Sequence, residues 1–287
     1  MRVMVTGATG FIGYHTAIAL LDAGHELSLL VRSVEKMETM FGAGRIDDYT
    51  VGDITDVDSV RTALQDCDAV IHVAALVSTR AADAERVGRT NVEGVENVIG
   101  SAVEMGVDSI VHVSSITALF DPAAQVLDEH SPPGVGATGY GRSKVACERF
   151  VRELQDSGAP VYITYPGTVL GPQTPALTEA HVGLQTYLSA FVPVMSSGNQ
   201  YVDARDLAEA HRIIVEDSTL AARPGPKRYV LGGHYIPWND RGPLLEELTH
   251  RKLLKIPLSG RLMRLMGRAC DRLDRYFDLD MPMTEEG

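Results

Sequence analysis

The sequence predicts an α/β fold: a doubly wound parallel sheet with helices on both faces, followed by a smaller C-terminal lobe. Three observations predict it. Apolar, β-branched runs alternate with stretches of helical length and composition. The first run passes through a glycine-spaced turn directly into the first helix. After Gly171-Pro172 the alternation loosens and Pro and Gly recur without a period, which marks the start of the lobe. The expected division is a sheet domain over residues 1–170 and a lobe over 171–287, with short returns to the sheet near 199–234.

Taken in order, Arg2–Thr6 is a short β-rich run that stops at Gly7, and residues 13–21 read as a helix ending at Ala23-Gly24. Residues 25–31 form the second strand. Later strands are expected at 68–75, 109–113, 160–165 and 227–231, with helices over 87–105 and 140–155. Strands joined by helical crossovers lie parallel and are covered on both faces, so they read as continuous apolar runs. Ligands of such sheets gather beyond the carboxyl ends of the strands, where Gly7, Ala74-Ala75, Ser115 and Pro166-Gly167 all fall.

Gly7-Ala8-Thr9-Gly10-Phe11-Ile12-Gly13 supplies the strand, glycine turn and helix that a Rossmann-type fingerprint requires. Its G-x-x-G-x-x-G spacing is wider at the first gap than G-x-G-x-x-G. Such glycines let the backbone turn tightly and approach a pyrophosphate, whose charge is met by amides at the helix N-terminus. A dinucleotide is therefore expected here. At the end of the second strand, where an acid would bind the ribose 2′-hydroxyl of NAD, the chain has Val31-Arg32-Ser33 and no carboxylate. Arg32 suits a 2′-phosphate, which makes NADP(H) the preferred cofactor and NAD(H) the alternative.

Tyr140 and Lys144 stand one helical turn apart, downstream of Ser115 at the end of the 109–113 run. A free tyrosine titrates near about pH 10, too high to exchange protons efficiently at neutral pH, and a nearby cation favours the phenolate. Ser115 can donate a hydrogen bond to charge developing on a carbonyl oxygen. A strand-end serine also commonly bonds backbone, and Thr117 is the next candidate hydroxyl.

Composition narrows the partners. The 287 residues are 45% apolar and 22% charged, as in globular proteins, and the net charge of −12 argues against general affinity for nucleic acid or anionic membranes. No apolar run approaches membrane-spanning length and Met1 runs straight into the first strand, so a cytoplasmic protein is expected. Cys67, Cys147 and Cys270 are odd in number and widely spaced, which suits reduced thiols, and no metal-ligand spacing occurs. Residues 260–273 alternate an apolar stripe with Arg261, Arg264, Arg268 and Arg272, the pattern of a lobe helix with a solvated basic face. Thr284-Glu285-Glu286 looks like a helix start with no helix behind it.

These segments, with Gly52-Asp53-Ile54-Thr55-Asp56, Asn91-Val92-Glu93-Gly94, Glu148, residues 166–172 and residues 202–208, resemble the extended short-chain dehydrogenase/reductases of the epimerase/dehydratase superfamily. The dihydroflavonol-reductase and 3β-hydroxysteroid-dehydrogenase-like members are the most similar. The resemblance implies that Tyr140 is the general acid or base, Lys144 its activator and a ribose ligand, and Ser115 the hydroxyl that holds the substrate oxygen. It puts Gly7, Thr9, Gly10, Phe11, Ile12 and Gly13 at the pyrophosphate, and Asp53 and Ile54 against the adenine. Ala74 and Ala75 would lie along the cofactor, with Pro166, Gly167, Thr168 and Val169 near the nicotinamide. Tyr165 stands where an arginine is common in the family.

The activity implied is interconversion of a carbonyl and a secondary alcohol on a small-to-medium, fairly apolar molecule. A homodimer paired through the helices at 87–105 and 140–155 is implied as well. A nucleotide-sugar epimerase is the first alternative, although epimerases resemble tight NAD binders and Arg32 speaks against that. A dehydratase would carry an acid pair where this chain has Ile116-Thr117, and non-catalytic sensors on this fold typically lose the tyrosine or the lysine.

Overall fold

The computed structural model describes residues 1–259 apart from Thr79. The amphipathic stretch at 260–273, Cys270 and the segment at Thr284 lie outside the described residues. Helices and strands alternate as β1 (Arg2–Thr6), α1 (Phe11–Asp22), β2 (Glu26–Val31), α2 (Val34–Phe41), β3 (Tyr49–Val51), α3 (Val57–Ala63), β4 (Ala69–His72), α4 (Ala84–Glu104), β5 (Ser109–Val113), α5 (Gly139–Asp156) and β6 (Val161–Pro166). The chain continues through β7 (Thr168–Leu170), α6 (Glu179–Ser189), β8 (Val192–Val194), β9 (Gly198–Asp203), α7 (Ala204–Glu216), β10 (Arg228–Leu231), β11 (His234–Pro237), α8 (Trp238–Thr249) and β12 (Lys255–Pro257).

Seven strands form one parallel sheet in the order β3-β2-β1-β4-β5-β6-β10. This is the α/β architecture read from the sequence. The order reverses between β1 and β4, where Val5 pairs with Leu29 on one side and Ile71 on the other. Successive side chains of β1 point to opposite faces. Val3 and Val5 join Ala17 and Leu20 of α1 and Ile214 of α7, whereas Met4 joins Val98 of α4, Ile110 of β5 and Val151 of α5. Burial on both faces explains why the strands read as unbroken apolar runs.

After β6, β9 pairs with β7 and β11 in a small three-stranded sheet, and β8 pairs with β12. α7 packs beside α1 and β10 extends the main sheet next to β6, so parts of this later segment belong to the main sheet's layers.

Three boundaries differ from the sequence expectation by two residues or more, one being the start of α4 at Ala84 rather than Val87. α1 starts at Phe11 rather than Gly13, because the Gly10 amide already closes onto the Gly7 carbonyl (2.8 Å) and extended Gly10 serves as N-cap. β4 stops at His72 rather than Ala75. Ala74 crosses the end of β1 instead, its amide donating to Thr6 Oγ1 at 3.2 Å.

Candidate functional site

At the order reversal, Gly7 ends β1 with a φ of +71°, backbone that side-chain-bearing residues rarely adopt. A Cβ there would lie 2.8 Å from the Ala74 backbone, and one on Gly13 would lie 2.1 Å from the Gly7 carbonyl oxygen. The loop is thus a cradle that side chains would fill. Its floor is the first turn of α1, which holds no acid and whose leading amides have no carbonyl one turn back to bond. This arrangement fits a pyrophosphate.

Arg32 follows β2 at the surface, and Ser33 caps α2 by accepting from the Lys36 amide at 3.2 Å, bringing Lys36 to the same cleft. Beyond β3, Asp53 Oδ1 accepts from the Thr55 amide (3.0 Å) and hydroxyl (2.9 Å). Ile54 packs where Gly94 leaves room, since a Cβ on Gly94 would sit 2.4 Å from Ile54 Cδ1. Asn97 Nδ2 donates to the Ile54 carbonyl at 3.0 Å.

Thr138 caps α5 by accepting from the Gly141 amide at 3.0 Å, which sets Tyr140 in the first turn and Lys144 in the second. Lys144 is 4% exposed, with Nζ 3.5 Å from the Val113 carbonyl oxygen and 5.8 Å from the centre of the Tyr140 ring. Ser115 caps the short turn Ile116–Leu119. Its hydroxyl accepts from the Thr117 amide and donates to Thr117 Oγ1, both at 3.2 Å. The backbone-bonding role of a strand-end serine is present here, and Thr117 is its partner.

Behind Lys144, the register partners His72 and His112 stack with ring centres 5.8 Å apart. Burial, then the Lys144 charge, lowers His72 to about 3 and holds His112 well below the ordinary histidine range. Both rings are neutral. Thr6 Oγ1 accepts from the Ala74 amide and lies 2.8 Å from His72 Nδ1, so the hydroxyl ties the loop to the buried ring.

On the next turn of α5, buried Glu148 accepts from Arg152 Nε (2.5 Å), the Tyr165 hydroxyl (2.5 Å) and Ser114 Oγ (3.1 Å). Arg152 also donates to Tyr165 (3.2 Å) and to the Ser131 carbonyl (3.0 Å). Burial and the Glu148 charge push the Tyr165 hydroxyl pKa upward, so it stays a donor. Arg152 supplies the counter-charge to Glu148 from one turn along the same helix. Asn91 of α4 clamps the backbone of Leu76 through both amide atoms (2.7 and 3.0 Å) and donates to Ser143 of α5 (3.0 Å).

One cleft of about 1920 Å³ collects Gly7, Thr9, Gly10, Phe11, Ile12, Gly13, Arg32, Asp53, Ile54, Ala74, Ala75, Ser115, Tyr140, Lys144, Pro166, Gly167, Thr168 and Val169. It continues to Tyr187, Tyr201, Trp238 and Arg241. Sequence reasoning did not find Lys36, Arg152 or Arg241. Lys36 was within reach, four residues after Arg32 on a helix announced by the Ser33 cap. Among the described residues no His, Cys, Asp or Glu cluster could hold a metal, and no helix is long and apolar enough to cross a membrane.

Comparison with known proteins identifies the family. A putative dihydroflavonol 4-reductase of Synechocystis sp. is 30% identical over 236 residues, 81% of this chain and 68% of that protein. A UDP-glucose 4-epimerase of Neisseria meningitidis serogroup B is 27% identical, over 73% of this chain and 71% of its own. The crystal structure of gox2253 superposes with a TM-score of 0.76 at 28% identity, covering 99% of this chain and 86% of that one. The family model matches residues 3–232, and with the glycine cradle, the strand order and these relatives in hand, the chain belongs to the NAD dependent epimerase/dehydratase family.

Proposed function

We propose that the protein is an NADP(H)-dependent oxidoreductase that interconverts a carbonyl and a secondary alcohol on a largely apolar small molecule. The observation that carries this reading is a single cleft lined by the glycine cradle and by Ser115, Tyr140 and Lys144. The cradle and the α1 amides hold the pyrophosphate, Arg32 and Lys36 the 2′-phosphate, and Lys144 the ribose beside the nicotinamide. When bound, the nicotinamide supplies or takes up hydride.

The remaining work falls to side chains of this chain. Tyr140 gives its phenolic proton to the substrate oxygen as carbonyl becomes alcohol, and takes one back in the reverse direction. Lys144, almost fully buried, sets a positive charge beside that ring, and its solvation is replaced by the Val113 carbonyl. Ser115 holds the substrate oxygen by turning its one hydroxyl proton from Thr117 Oγ1 to the substrate, while the Thr117 amide goes on bonding its oxygen. Leu184, Phe191, Met195 and Ile236 give the cleft an apolar wall, which supports an apolar substrate body.

The test is NADPH oxidation by purified protein against panels of ketones, aldehydes, sterols and sugar nucleotides. Turnover of a ketone or aldehyde that Tyr140→Phe abolishes supports the proposal; turnover of a sugar nucleotide alone refutes it. The second reading, a nucleotide-sugar epimerase, draws its support from the Neisseria relative. It requires interconversion of UDP-sugars with no net NADPH consumption.

A further inference from the structure

Arg241 lies on α8 where the cleft is walled by α6, β9 and α8, and only 4% of it is exposed. Its guanidinium carbon is 3.5 Å from the centre of the Trp238 ring and 5.3 Å from those of Tyr187 and Tyr201. Nη2 donates to Asn199 Oδ1 at 3.0 Å, while Nε and Nη1 have no acceptor among the described residues. The groups around it are neutral. Burial raises the Tyr187 and Tyr201 hydroxyl pKa values and Arg241 draws both back, so each ring stands uncharged beside the cation. Nearby Lys255, whose stem crosses the α8 backbone at Gly242, pairs with Glu246 at 2.7 Å, so those two charges satisfy each other.

A permanently charged guanidinium withdrawn from water needs compensating charge. The Trp238 face offsets part of the loss through cation–π attraction, but that acts on the plane of the group and leaves its N–H edge unmet. Nε and Nη1 carry three of the five N–H donors, and the fixed fork matches two oxygens of one carboxylate or phosphate. The surrounding wall, with Leu184, Phe191, Leu245 and Ile256, is apolar.

We propose that Arg241 is a specificity residue that binds an anionic oxygen group, carboxylate or phosphate, at one end of an otherwise apolar substrate. This rests on the reading of the cleft as a substrate site for its placement, though not on any catalytic role. The aromatic faces of Tyr187, Tyr201 and Trp238 hold the guanidinium in place before the ligand arrives, and Asn199 fixes its rotation.

Calorimetric titration of the NADPH-loaded protein with octanoate, octyl phosphate and octanamide tests this, because the three share a chain and differ in the head group. The wild type is expected to bind octanoate or octyl phosphate at least about tenfold more tightly than octanamide. Arg241→Met keeps the length and the stacking but removes the charge, and should bring the ratio to about one with NADPH affinity unchanged; Arg241→Lys should retain part of the ratio. A wild-type ratio near one for both anions overturns the proposal, whether or not any variant folds. An Arg241→Met protein that binds NADPH normally and keeps the wild-type ratio overturns it as well. Tyr140→Phe is expected to keep the wild-type ratio, so a failure of the oxidoreductase reading shows up in turnover and a failure of the anion site shows up in binding.

Discussion

Lowering the pH from 7 to 5 should destabilise this protein through histidines that the fold keeps neutral. His72 and His211 are 1% and 0% exposed, and burial lowers each from an ordinary 6.5 to about 3. His211 sits between the Thr16 and Thr164 hydroxyls at 3.0 and 3.3 Å, a setting that suits a neutral ring and offers a second proton no carboxylate. The sign follows from linkage: the unfolded chain takes up protons as the pH falls through 6.5, the folded chain does not until about 3, so this stability is present above 6.5 and is lost on acidification across that interval. Between pH 7 and 5 each ring contributes a loss of about 2 kcal/mol, roughly 4 kcal/mol for the pair, with His112 adding in the same direction. Against a total stability of roughly 5–15 kcal/mol this is a large fraction. The carboxylates whose pKa values are depressed, such as Asp56 and Asp128, lose their contributions only below their ordinary values near 3.8, so the interval from 7 to 5 belongs to the histidines. Urea unfolding followed by circular dichroism at pH 7, 6 and 5 measures the slope. His211→Asn should cost stability at pH 7 yet roughly halve the loss from the His72 and His211 pair. A wild-type stability that is flat across this range, or a slope that His211→Asn leaves unchanged, would refute the reasoning.

Tyr140→Phe should cut turnover by about 10²–10⁴-fold with cofactor affinity little changed, whereas Lys144→Ala should weaken both, as single-turnover kinetics and NADPH fluorescence titration would read. Arg32→Ala should remove most of a preference for NADP(H) over NAD(H), since a charge-assisted phosphate contact is worth about 1.5–3 kcal/mol; equal wild-type affinities by calorimetry contradict this. Glu148→Gln leaves the Arg152 guanidinium, 11% exposed, without its carboxylate and should cost about 3–5 kcal/mol in urea unfolding at pH 7. A homodimer is expected through the outer faces of α4 and α5, and a strictly monomeric mass by light scattering at micromolar concentration contradicts it.

The dinucleotide end of the cleft was legible because each of its signals is local. Gly7 to Gly13 spans one strand end and one helical turn, and Tyr140 and Lys144 are a single turn apart, so sequence spacing stands in for distance. The strand beyond His72 was overextended because Val73-Ala74-Ala75 prolongs the apolar run, while Ala74 packs across Gly7 and bonds Thr6 Oγ1 instead of pairing. His72 and His112 were not legible as a pair, since their contact depends on the register between β4 and β5. Arg241 was harder still. Trp238 is one helical turn away, but Tyr187 and Tyr201 come from α6 and β9, earlier in the chain, and α8 carries no sharp apolar stripe that would mark an inward-facing arginine as unusual.

Placing the Glu148 counter-charge on Arg152 of the same helix also constrains how this chain can change. Introducing arginine at position 165 alone would crowd a second guanidinium against one carboxylate already bonded by Arg152 and Ser114. Removing Arg152 alone leaves Glu148 with hydroxyl donors only. Either single step passes through a less stable protein, whereas the two together exchange one cation for another. Positions 152 and 165 are therefore expected to vary jointly across descendants of this fold, and the side chains at one are to be read with the other in view.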